Sequence, residues 1–343
     1  MMIDGNNWMC LLIMISLITT SCHAQDRTNE AIKTINDLNN TSVEEAKIST
    51  LSDTISTDAP YTITRNITQD RTGNIWFATF GGAIKYDGNS FNNLTKDQPI
   101  RFFAVHEDRQ GMIWFGSIGH GVYRYDGNAF QTYRTSDGLV NDRVSNIYED
   151  NDGKIWFGTE GGISIYSENS FTNLTTEQGL LDDDINSIIQ DETGIYWIGT
   201  RGKAFTYDGR NFSEIVNNAG DSFYNVRHIL IDSRGYIWMG GNDGLWRYDG
   251  ESYMRVSRDF TGYIYEDRVG NILTSSVGSN LSGWTLSQYD RVSINNNRPE
   301  ATVLKTGEDM FFGIYQDRSS NIWVGKLDGV YHIDTLGAKD FKE

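Results

Sequence analysis

Proline, cysteine and positive charge are all scarce in this chain, and each shortage excludes something. Its 343 residues hold three prolines and two cysteines, and both cysteines, Cys10 and Cys22, stand within the first 22 positions. No disulfide can staple the remainder, so its fold must rest on a buried core. Lys and Arg number 29 against 46 Asp and Glu, a net charge of −17. A surface this acidic, with no basic cluster to override it, argues against nucleic acid and anionic head groups as partners. Long apolar runs are missing too. Residues 11–18 form a short one, which reads as the hydrophobic region of a signal peptide and not as a membrane span. Between residues 61 and 343 no window of 12 or more residues keeps an i, i+3, i+4 apolar stripe without a glycine interrupting it. That excludes a helical architecture.

What the chain has in quantity is glycine, 35 residues, and a Trp-centred phrase that recurs. It reads DRTGNIWFATFGGAIKYDG from Asp70, DRQGMIWFGSIGHGVYRYDG from Asp108 and DNDGKIWFGTEGGISIYSE from Asp150. It returns as DETGIYWIGTRGKAFTYDG from Asp191, DSRGYIWMGGNDGLWRYDG from Asp232 and DRSSNIWVGKLDGVYHID from Asp317. A worn copy starts at Asp267, with Leu273 in the Trp position. The series Trp76, Trp114, Trp156, Trp197, Trp238, Leu273, Trp323 advances by 38, 42, 41, 41, 35 and 50 residues. Seven units of about 40 residues make a repeat protein.

Each unit reads as four short strands. In the third copy, 144–149 alternates apolar and polar residues, Asn151-Asp152-Gly153 turns, and 154–158, 163–166 and 171–174 follow. The expected fold is therefore all-β: a seven-bladed β-propeller of four-stranded antiparallel blades. Gly73, Gly111, Gly153, Gly194 and Gly235 fall where the first hairpin turns and needs positive φ. The Asp residues opening each phrase suit Asx-turns, and the Trp rings should fill the space between blades. The last copy offers strands at 311–316, 321–325 and 329–333, and leaves only 340–343 beyond them. Residues 47–57 (KISTLSDTIST) are accordingly expected to supply its outer strand and close the ring, covering an exposed sheet edge.

At the N-terminus, Thr19-Thr20-Ser21 leads to Cys22, as at a lipoprotein cleavage site, so that 1–22 is a leader with Cys22 lipidated. Thr19 replaces the Leu preferred there, and residues 1–9 carry Asp4 but no Lys or Arg; a start at Met9 would remove Asp4. Cleavage after Ala24 and plain secretion is the rival reading. Residues 23–60 read as a polar tether and 61–343 as the propeller.

Propellers bind ligands at one end of the central channel, on loops that vary between copies. Loops between second and third strands carry Phe80, His120, Glu160, Arg201, Asp243 and Lys326. A longer sixth loop, 277–284, carries Asn280 and Trp284. Entries to the innermost strands offer Arg101, Asn141, Asp142, Arg143, Asp182, Asp184, Asn225 and Arg227. Guanidinium, carboxylate, amide and aromatic groups together suit a hydroxyl-rich ligand such as an oligosaccharide; taken singly, each is more often an ordinary polar loop tip. The five histidines show no HxH, HxxxH or HExxH spacing, and the Asp150 turn has Gly161 where a calcium loop needs its Glu. Neither a metal nor an organic cofactor is expected.

The consensus D-x-x-G-x-I-W-x-G-T, followed by G-x-x-x-Y-D-G-x-x-F, closely resembles the two-component regulator propeller repeat. The closing part stands at Tyr86-Asp87-Gly88 with Phe91, Tyr125-Asp126-Gly127 with Phe130, and Tyr207-Asp208-Gly209 with Phe212. The third copy has Ser167-Glu168 in place of Asp-Gly, and the seventh ends Ile333-Asp334. The resemblance implies an extracytoplasmic sensor module, often for glycan fragments, which in that family is followed by an Ig-like module, a transmembrane helix and kinase domains. None of these follows Glu343 in this sequence. A monomeric binding propeller, held to the membrane only through its lipid and serving a polar small molecule or an envelope protein, is the resulting expectation. A lyase of the streptogramin-inactivating type, or a scaffold for an envelope assembly, is the alternative.

Overall fold

The computed structural model describes residues 58–98, 100–278, 283–295, 299–334 and 337–341. Seven four-stranded antiparallel sheets follow one another along the described chain, each in simple meander order. The first runs Thr64–Gln69, Ile75–Thr79, Gly82–Tyr86 and Phe91–Asn93 from the axis outward. The innermost strands of neighbouring blades contact one another in sequence, and the seventh returns to the first, so the ring is closed. It is a seven-bladed β-propeller, as the repeat predicts.

The repeated phrase explains itself once the blades are stacked. Each motif Asp takes the backbone N–H groups two and four residues on with Oδ1, which fixes the first hairpin; in the six copies that keep the Trp, Oδ2 accepts the indole N–H six residues on. Asp108 shows the pattern, with Gln110 and Met112 at 2.9 Å and Trp114 Nε1 at 2.7 Å. The Trp then projects onto the next blade: Trp114 meets the Phe157 and Tyr166 rings at 5.5 and 5.3 Å. Trp323 of the last blade meets Phe77 and Tyr86 of the first at 5.5 and 5.6 Å, which seals the ring with the same contact. The Gly after Ile-Trp-Phe has a packing reason. A Cβ on Gly158 would lie 2.7 Å from Cγ2 of Ile185 on the next inner strand, so only glycine lets the blades approach this closely.

Two further inter-blade devices lie in the repeat. The residue before each motif Asp is Glu or Gln in six copies, and its side chain accepts the backbone N–H just after the preceding blade's Asp. Arg71 N–H to Glu107 (2.9 Å) and Arg109 N–H to Glu149 (2.9 Å) are examples, and Arg318 N–H to Gln69 (2.8 Å) repeats it across the closure. Ile231 interrupts the series. The Asp–Gly pairs of the outer hairpin make Asx-turns, as in Asp87 to Asn89 and Ser90 at 2.8 Å.

One expectation is corrected. The outer strand of the seventh blade is Gly337–Phe341, paired with Gly329–Asp334, and so comes from the C-terminal end of the chain. Residues 47–57 lie outside the described residues and are not needed to complete the blade. The inner strand of that blade is also shorter than expected, Ile314–Gln316.

Tyrosine burial sets a limit at alkaline pH. Burial pushes the Tyr166 and Tyr289 phenols up to about 12, and Tyr196, Tyr253 and Tyr263 are raised further for the same leading reason. Unfolded tyrosine ionises near pH 10. Because the folded values lie above the unfolded one, this stabilisation is fully present below about pH 10 and is lost as pH rises through about 12. Phenolate absorbance and loss of β-sheet circular dichroism should therefore appear together in that window. Tyr61 and Tyr224 are exposed, and an exposed phenol ionises without unfolding; ionisation of the full tyrosine complement near pH 10 with the fold intact would show that the buried rings are solvated.

Candidate functional site

The mouth of the channel is built by a backbone irregularity that recurs in six blades. Between the sixth and fourth residues before the motif Asp, the register of the inner strand slips against its neighbour by one residue. The extra residue is Arg65, Phe103, Ser145, Asn186, Arg227 or Gly262 in blades one to six, and Phe312 stands at the same distance from Asp317 in the seventh. A bulge removes a residue from the ladder and re-aims its side chain. Here it repeats at the same height round the ring, at the end where second-to-third-strand loops also gather.

Two unlike halves result. On blades seven, one and two, the Arg65 guanidinium lies 4.3 Å from the Phe103 ring centroid and 4.5 Å from that of Phe312. Phe80 meets Phe103 at 5.9 Å, and Arg101 sits over Phe80 at 5.7 Å. Blades three to five carry charge instead. Arg143 pairs with Glu160 at 2.6 Å and Arg201 with Asp184 at 3.0 Å. Arg227 donates to Asn186 Oδ1 at 3.3 Å, and Asn225 donates to Asn242 at 2.9 Å. Asp182 accepts the Asp184 backbone N–H at 3.1 Å.

The halves meet electrostatically across the axis. Burial, and then repulsion from Arg227, hold the Arg65 guanidinium well below its usual range. Burial followed by Arg201 lowers Arg227 to about 10, partly offset by Asp184. Burial raises the Asp184 carboxyl, Arg201 opposes that shift, and Glu160 adds to it. One layer below, Asn66 donates to the Tyr263 hydroxyl at 3.2 Å, and Tyr263 stacks on His228 at 4.2 Å, so these three residues floor the mouth. The bridge from blade one to blade six is possible because blade seven has Gly313 at that level. Burial depresses His228 to about 4, which keeps it neutral.

Of the residues expected from sequence, Arg143, Glu160, Asp182, Arg201, Asn225 and Arg227 are brought together on the charged half, and Arg101 borders the aromatic half. Asn141 and Asp142 are spent within their own loop, accepting the backbone N–H groups of Arg143 and Thr135 at 2.8 Å. Asp243 likewise accepts the Tyr224 N–H at 3.0 Å. His120 is exposed on its loop. Lys326 is bound to Asp340 at 2.6 Å and Asp328 at 3.1 Å, in a cleft of about 210 Å³ between blades six and seven. Trp284 is a correction: it opens the strand Trp284–Tyr289 and is buried against Phe260 at 5.8 Å, so it is core and not a loop residue. Asn280 lies outside the described residues. Arg65, Phe103, Asn186 and Phe312 were missed. Their signal was available: five residues before each motif Asp the copies disagree, inside a strand where a scaffold should be uniform.

Fold and site together define a seven-bladed propeller with a polar–aromatic channel mouth. The two component regulator propeller family model matches residues 138–161 and 179–202. No curated protein matches the chain. Among solved structures, the extracellular domain of a hybrid two-component system from B. thetaiotaomicron superposes with a TM-score of 0.69 at 21% identity. That match covers 83% of this chain and 40% of the other, so the chain spans about two fifths of that domain. A catalytically inactive virginiamycin B lyase from Staphylococcus aureus, solved with quinupristin, gives 0.62 at 13% identity, covering 80% of this chain and 95% of the lyase. PorZ, a surface component of the type-IX secretion system of Porphyromonas gingivalis, gives 0.61 at 14%, covering 81% and 47%. At these identities the likeness is one of fold. Among the described residues no three His, Cys, Asp or Glu side chains converge as metal ligands.

Proposed function

We propose that this chain is an extracytoplasmic, non-enzymatic binding propeller of the sensor kind, which takes an oligosaccharide at its channel mouth. The observation that carries this reading is the division of the mouth. Aromatic rings on blades seven, one and two face guanidinium, carboxylate and amide groups on blades three to five, and a saccharide presents the same two characters, apolar ring faces and hydroxyl edges. In this reading residues 1–22 are the leader and residues 23–60 the tether, while Cys22 carries the lipid. The regulator-propeller match and the likeness to extracellular domains of signalling systems support the placement outside the cytoplasm. The leader is tested by palmitate labelling of wild type against Cys22→Ala.

The binding role is tested by thermal shift against a glycan panel, with and without EDTA. A saccharide-dependent rise in melting temperature that EDTA leaves unchanged is the expected result. Loss of stability with EDTA would favour a metal-dependent lyase. Silence throughout would favour a scaffold of an envelope assembly.

A further inference from the structure

The chain carries a net charge of −17, yet three arginines at its channel mouth have no ion-pair partner of their own among the described residues. Arg143 and Arg201 have their own carboxylates, Glu160 and Asp184. Among the described residues, Arg65, Arg101 and Arg227 have no carboxylate oxygen within 4.0 Å. Arg227 has only an amide oxygen, at 3.3 Å, and the one carboxylate whose field it feels is already paired with Arg201. Arg65 and Arg227 stand at the same bulge position on blades one and five, and the charge of Arg227 adds to burial in disfavouring the Arg65 cation. Like charges brought together in a partly buried site destabilise the empty protein, and a surface rich in Asp and Glu could have supplied a counter-ion at little cost.

Stacking decides how Arg65 can be used. The Phe103 and Phe312 rings cover its guanidinium from two sides, at 4.3 and 4.5 Å. With two rings packed against it, the guanidinium meets a ligand through its N–H groups, the forked donor set that matches a carboxylate or sulfate.

We propose that the mouth is a receptor for an acidic saccharide, whose oxyanion seats between Arg65 and Arg227 while the sugar rests between the two halves of the mouth. This rests on the oligosaccharide reading above and narrows it. The shared chemistry is a planar or tetrahedral oxyanion, supplied by a uronic acid or by a sulfate ester.

The test is calorimetric binding of uronic-acid oligosaccharides, each paired with its methyl ester, beside a sulfated panel and neutral oligosaccharides. The acids, or the sulfated sugars, should bind at least tenfold more tightly than the matched neutral forms, and the preferred set identifies the oxyanion. Arg227→Gln should weaken the acid about ten- to hundredfold and the ester at least tenfold less than the acid, since the ester loses only a hydrogen bond and not a charge pair. Arg65→Lys, which keeps the charge but loses the fork, should lose less than Arg65→Met. Without ligand, Arg227→Gln should melt at the same temperature as wild type or higher, because a repulsion is removed. A sharp fall in that melting temperature would make Arg227 a structural strut and overturn the proposal. Equal binding of acid, sulfate and neutral forms would overturn it too while leaving the oligosaccharide reading intact. Binding of no saccharide at all would remove both.

Discussion

Ending the chain after Asp334 is expected to lower the unfolding free energy by more than about 5 kcal/mol and the melting temperature by about 10 °C or more. The cut removes the strand Gly337–Phe341, which pairs along Val330–Asp334 of its neighbour. Phe341 stacks on Trp323 at 6.1 Å and meets Phe91 of the first blade at 5.4 Å, so the strand lies over the seam where the ring closes. Val330 and Trp323, at 0% and 2% exposure, would be uncovered. Burial of one such side chain is worth about 1.5–3 kcal/mol, and the loss here spans several. An open, apolar edge at the seam should also promote association between copies. An unchanged melting curve would mean that another segment completes the blade, residues 47–57 first among them. Phe341→Ala is the milder companion and should lose about 2–3 kcal/mol.

Asp150→Ala is expected to cost about 3–5 kcal/mol, an effect out of proportion to the size of the side chain. Asp150 is fully buried and accepts four hydrogen bonds. Oδ1 takes the N–H groups of Asp152 and Lys154 at 2.9 Å, and Oδ2 takes Trp156 Nε1 at 2.7 Å and the Tyr196 hydroxyl of the next blade at 2.8 Å. Removing the carboxylate strands the indole N–H and the phenol in a dry seam. Asp150→Asn should be nearly as damaging, because its amide must turn an NH₂ group toward one of two pairs of donors. The worn sixth blade supplies the control. Asp267 has no Trp to hold, and its Oδ2 takes the Asn271 amide at 2.8 Å. Asp267→Ala should therefore cost about 2 kcal/mol less by urea denaturation. Equal losses at the two positions would show that the indole and phenol bonds add nothing.

Much of the candidate site was legible as chemistry but not as place. Arg143, Glu160, Arg201 and Arg227 were recognisable as variable polar residues at the right end of each blade. Their pairing was not, because Arg143 meets Glu160 and Arg201 meets Asp184 only after a hairpin folds back on its own inner strand. Trp284 failed for a related reason. A copy that breaks its phrase gives no reliable register, and Trp284 begins a strand that the pattern had placed in a loop. The closing strand failed because Thr335 to Glu343 contains none of the phrase, so nothing in the repeat announces a fourth strand there.

The sequence by itself determined the blade, the number of blades and the seam between them. Those follow from local rules that recur along the chain: an Asp that fixes a hairpin in all seven copies and binds a Trp in six, a Gly in five that lets the next strand approach, and alternation that turns one face inward. Only the tertiary structure decided what the channel holds. Arg65, Phe103, Arg227 and Phe312 are separated by up to 247 residues and belong to blades one, two, five and seven. Their meeting depends on a one-residue slip in six of the inner strands and on closure of the whole ring, and closure is not a property of any single repeat.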